Sequence, residues 1–87
     1  DCGPVSMKIR YKKNSASVIE SIIDPLDPEI IPVDKGEWFE AVFDISDYLY
    51  LCKQFVIYGS NVEIISPPHV REAMIKMLKE SLVVYEK

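Results

Sequence analysis

The sequence is poor in the side chains that usually carry chemistry: 87 residues include one histidine and two cysteines. Cys2 lies in a polar N-terminal stretch and Cys52 inside an apolar helical pattern, and neither has a second cysteine or the histidine at metal-ligand spacing. A structural metal site and a disulfide framework are therefore not expected, and Cys52 reads as a small buried hydrophobe. No apolar run reaches the ~20 residues that a membrane helix needs, and no basic segment leads into a hydrophobic one. The expected setting is cytoplasmic, with no membrane partner. Positive charge is also in deficit. Ten basic against fourteen acidic residues leave a net charge of −4, which opposes the counterion release that drives duplex DNA binding. A stand-alone DNA-binding domain is not expected on that ground.

What is present suits one small globular domain. Hydrophobic residues make up 48% and charged residues 28%, and a chain of this size buries about two-thirds of its unfolded surface in a single core. The start, Asp1-Cys2-Gly3-Pro4, has no methionine and reads as a linker remnant of a longer protein, leaving residues 5–87 as the domain.

Val5, Met7, Ile9 and Tyr11 alternate with Ser6, Lys8, Arg10 and Lys12, the period of a strand with one wet face. Ser17 and Glu20 fit a capping box for a short helix whose apolar positions are Val18, Ile19, Ile22 and Ile23. Asp24-Pro25-Leu26-Asp27-Pro28 stops it. Glu29 to Val33 predicts a second strand, which Pro32 consigns to an edge or bulge. After the turn Asp34-Lys35-Gly36-Glu37, Trp38 to Ile45 predicts a third, with Phe39, Ala41, Phe43 and Ile45 on one face. Ser46 or Asp47 caps a second helix carrying Leu49, Cys52, Phe55 and Val56 on one face, and Gly59 reads as its left-handed stop. Asn61 to Ile65 predicts a fourth strand. Pro67 and Pro68 open a last helix reaching Tyr85, with one apolar stripe at Val70, Met74, Met77, Ser81 and Val84 and a second at Ile75, Leu78, Leu82 and Tyr85.

The order βαββαβ plus a helix predicts an α+β fold: a ferredoxin-like sandwich with a four-stranded antiparallel sheet, strand order 4-1-3-2, and a C-terminal helix. Residue chemistry alone reads no further, because fold does not give function.

One stretch does carry a resemblance. Phe55-Val56-Ile57-Tyr58-Gly59-Ser60-Asn61-Val62-Glu63-Ile64-Ile65-Ser66-Pro67-Pro68, followed by Val70-Arg71-Glu72 and a closing Tyr85, resembles the C-terminal extension (WCX) of WYL-domain transcriptional regulators. Tyr58 and Ser66 depart from the residues usual there. The resemblance implies a ferredoxin-like fold and a non-catalytic regulatory role in effector response or dimerisation. It also implies a cytoplasmic bacterial protein, typically dimeric, whose partners are the WYL domain of the same chain and a second subunit. Duplex DNA would be met only through a separate helix-turn-helix domain. Gly59, Pro67 and Pro68 are the structural part of the motif. The alternative function is a stand-alone small-ligand sensor of ferredoxin-like fold.

No catalytic residue, metal ligand or cofactor is assigned. His69 reads as a surface histidine, and Asp24, Asp27, Glu29, Asp34 and Glu37 read as a solvated acidic loop without calcium-loop spacing. Met7, Met74 and Met77 read as core filler. Lys8, Arg10 and Trp38 are the candidate ligand residues. They share one sheet face, where basic and aromatic groups could meet a nucleotide or single-stranded nucleic-acid effector. Burial of that face against a neighbouring domain or second subunit is the favoured reading, ligand contact and a plain solvated sheet are the others, and two apolar stripes on the last helix point to a docking partner as well.

Overall fold

The computed structural model describes residues 3–86; Asp1, Cys2 and Lys87 lie outside them, and with them half of the linker reading. Strand β1 (Val5–Lys12) is followed by helix α1 (Ala16–Ile23), β2 (Glu29–Val33), β3 (Trp38–Ile45), α2 (Tyr48–Phe55), β4 (Val62–Ser66) and α3 (Pro68–Tyr85). The four strands form one sheet in the order β2-β3-β1-β4, which is the expected 4-1-3-2 read from the other edge, and every neighbouring pair is antiparallel. The fold is α+β, with a four-stranded antiparallel sheet and a C-terminal helix. Since β1 and β2 both run opposite to β3, they run parallel to one another with β3 between them. The same reasoning makes β3 and β4 parallel across β1.

Alternation in β1 decides which side of the sheet is dry. Met7, Ile9 and Tyr11 are fully buried, and their neighbours Ala41, Phe43 and Ile45 on β3 and Val62 and Ile64 on β4 complete the sheet's half of the core. All three helices cover this side. Ile19 and Ile23 come from α1, Leu51, Cys52 and Phe55 from α2, and Val70 and Met74 from α3. Pro32 sits in edge strand β2, where the loss of an amide donor is tolerated.

The structure corrects several local expectations. The Ser17–Glu20 capping box does not form: β1 runs straight into a 3-10 turn at Lys13–Ser15, which starts α1 at Ala16 and places Ser17 inside the helix. On α2, Leu51 is buried and Leu49 is 46% exposed, so the buried face is set by Leu51, Cys52 and Phe55. Asp47 caps α2, its carboxylate accepting from the Tyr50 amide at 3.1 Å. Pro67 takes the N-cap position of α3 and Pro68 its first turn.

Gly59 is the clearest difference. Helix α2 ends at Phe55 and tightens into a 3-10 run over Val56–Asn61, in which Gly59 has φ 55° and ψ −127°. These angles are those of the first central residue of a type II′ turn, not of a left-handed helix stop. Positive φ still demands glycine, although a Cβ there would meet nothing within 4 Å. The cost of a side chain is thus conformational. Gly59→Val is expected to lower stability by about 1–2 kcal/mol, read as a lower urea midpoint with an unchanged slope.

Candidate functional site

The face of the sheet away from the helices is open. Lys8, Arg10 and Lys12 project from β1, and their cross-strand partners on β3 are Val42, Glu40 and Trp38 respectively. Glu29, Ile31 and Val33 of β2 pair with the same three β3 positions and extend the face to the sheet edge. The residues named from the sequence, Lys8, Arg10 and Trp38, do share this surface, but not the same surroundings. Lys8 Nζ lies 3.4 Å from Glu40 Oε1 and is neutralised by it. The Arg10 guanidinium lies 4.6 Å from the centre of the Trp38 ring, and Lys12 Nζ lies 5.5 Å from it. Lys12, not Lys8, therefore completes the cluster: it stands directly opposite Trp38 in the register, and Arg10 reaches the same ring from the diagonal position.

Beside this cluster, Lys12, Lys13, Asn14, Glu37 and Trp38 line a cleft of about 230 Å³. The Lys13 amide donates to the Glu37 carbonyl at 2.9 Å, which ties the end of β1 to the start of β3 and fixes the cleft's floor. A second cleft, of about 290 Å³, has Ile31 and Val42 as its apolar floor and Lys8, Glu29 and Glu40 as its rim.

The helical side presents a different surface. Every residue from Leu78 to Glu86 is exposed, so α3 docks through Val70 and Met74 and then overhangs the domain by about 12 Å at 1.5 Å per residue. Its flanks open on two clefts. One, of about 170 Å³, runs between β4 and α3 along Val62, Ile64, Met74, Ile75 and Leu78. The other, of about 500 Å³, lies between Lys53 and Val56 on one side and Met77, Ser81 and Val84 on the other. Both apolar stripes of α3 are thus split along their length, with the N-terminal part covered and the C-terminal part bare.

One interaction on this side could not be read from the sequence. Arg71 Nη1 donates to Glu63 Oε2 and to the Ile64 carbonyl, each at 2.8 Å, joining the first turns of α3 to edge strand β4. No local spacing links positions 63, 64 and 71. His69 is exposed and meets Tyr48 edge-on at 5.3 Å. Among the described residues, no three histidine, cysteine, aspartate or glutamate side chains come together as a metal site.

Two groups of the core have perturbed titration. Burial, then the hydrogen bond to Glu20 and that carboxylate's charge, push the Tyr11 hydroxyl well above its ordinary value of 10.0. The Tyr11 hydroxyl donates to Glu20 Oε2 at 2.8 Å while its ring stacks on Phe39 at 5.7 Å. Burial pushes the Cys52 thiol up as well. Both groups are neutral in the folded chain and ionise more readily when it unfolds. Their stabilising contribution is complete below the unfolded values and declines as pH rises past about 9–10. Denaturation midpoints should therefore fall steeply above pH 10, and Tyr11→Phe should flatten that fall while costing about 1 kcal/mol near neutrality through the lost hydrogen bond.

No curated protein matches this chain. A family described as the WCX domain matches residues 3–82 of the 87. Among the described residues, no helix is long and apolar enough to cross a membrane. With a match that takes in both the open sheet and the docked part of α3, the chain belongs to the WCX domain family.

Proposed function

We propose that this chain is a non-catalytic regulatory module of a WYL-type transcriptional regulator, acting through contacts with a WYL domain and with a second copy of itself. The two parallel pairs interleaved in one antiparallel sheet, with all helices on one side, are read as a ferredoxin-like sandwich. Family membership supports the regulatory context. The observation that carries the reading is the bare half of α3.

Leu78 is 46%, Leu82 54%, Val84 64% and Tyr85 88% exposed; Val84 continues the stripe that Val70 and Met74 bury, and Leu78, Leu82 and Tyr85 continue the stripe that begins at Ile75. An apolar helix face of this kind, left without a floor, is the mark of a contact surface. Ser81 lies at the middle of the bare segment, where a small side chain lets a second helix approach closely. In an antiparallel pairing centred on Ser81, Met77 would oppose Tyr85 of the other copy and Leu78 would oppose Val84. The mechanism is then mechanical: the module holds two WYL domains in a fixed relation, and an effector that alters that relation alters the regulator.

Light scattering on the 87-residue chain should show a dimer whose population rises with concentration. Leu78→Glu and Leu82→Glu should each yield a folded monomer, and Lys79→Glu on the polar side should not. A wild-type chain that stays monomeric at high concentration, and that fails to retain a WYL domain supplied separately, overturns the reading.

A further inference from the structure

The cluster at the Trp38 end of the open face has an excess of positive charge that the fold does not use. Arg10 and Lys12 lie over one indole, and Lys13 follows at the cleft that Trp38 lines. The carboxylates that could have neutralised Arg10 across the strands are engaged elsewhere, Glu40 with Lys8 and Glu63 with Arg71. Stacking occupies the flat face of a guanidinium and leaves its in-plane N–H donors for an acceptor. Among the described residues, Arg10 Nε is buried without a hydrogen-bond partner and is shielded from solvent, so the terminal amino groups are the part of this guanidinium that a ligand can meet. Lys12 and Lys13 face one acidic residue, Glu37, in the lining of the cleft; with Arg10 beside it over the same indole, the cluster carries a local charge of +2 on a chain whose net charge is −4.

We infer that Arg10, Lys12 and Lys13, positioned by Trp38, form a binding site for a dianionic phosphate monoester. A monoester carries a charge of nearly −2 at neutral pH and three acceptor oxygens, which match the local charge and the free donors. Phosphate diesters carry a single charge and fit less well. The oxygens would meet the edge of the Arg10 guanidinium and the two ammonium groups, with the organic part of the ligand extending over the cleft floor beside Asn14. This site stands apart from the α3 surface, so its failure leaves the assembly reading untouched, and the converse holds.

Trp38 is the only tryptophan, and its fluorescence reports on the site directly. Ribose 5-phosphate, which does not absorb in the indole range, is the probe, and dimethyl phosphate is the diester control. In low salt at pH 7.5, ribose 5-phosphate should give a saturable change, and dimethyl phosphate a much weaker one. Affinity should fall as ionic strength rises from about 0.01 to 0.1 M, over which the screening length shortens from ~30 to ~10 Å. Arg10→Gln should weaken binding about tenfold or more. Lys13→Gln, which removes no cation stacked on the indole, should weaken it roughly threefold, and Glu37→Gln should tighten it by a similar factor. No saturable change in folded protein, equal response to the diester, or indifference of affinity to both Lys13→Gln and Glu37→Gln overturns the proposal.

Discussion

The alternation of β1 is the constraint on which the rest of the molecule depends. Lying between β3 and β4, this strand supplies three fully buried side chains to the core and three cations to the opposite face. A slip of one residue would exchange Met7, Ile9 and Tyr11 for Lys8, Arg10 and Lys12, and three desolvated charges would outweigh the stability of a domain this small. Register is therefore fixed for reasons of burial. The basic row above Trp38 and the floor beneath the helices are two results of that single choice.

That same alternation explains how much of the fold could be read in advance. Strands β1 and β3 follow from period two, β2 from its flanking turns with its edge position from Pro32, and α3 from the two prolines that open it. The failures share a different cause. Leu49 and Leu51 both fit a helical stripe, and the choice between them was made by how α2 lies on the sheet, which no local pattern records. Ser17 had the spacing for a cap, but the strand fed directly into a 3-10 turn and started the helix earlier. At Gly59 the need for positive φ was legible and the turn type was not, because the tightening after Phe55 depends on where β4 must begin.

The candidate site was legible in part for the same reason. Arg10 and Trp38 share a face by register, whereas the pairing of Lys8 with Glu40 is a matter of side-chain reach. Arg71 lies further still from any local rule, since its two acceptors belong to a strand edge that exists only once the sheet is assembled. Charge placement thus emerges from topology: an acidic chain acquires a basic corner because neighbouring strands commit their carboxylates elsewhere.

The two edges of the sheet have a consequence for crowded solution. An open antiparallel sheet offers bare backbone groups on both outer strands, and these can recruit like strands end on end into fibres. Here β2 interrupts its edge with Pro32, and the Ile64 carbonyl of β4 is occupied by Arg71. Growth by strand addition is thereby obstructed on either side, so the exposed apolar residues of α3 stand on a domain whose sheet does not itself become a template.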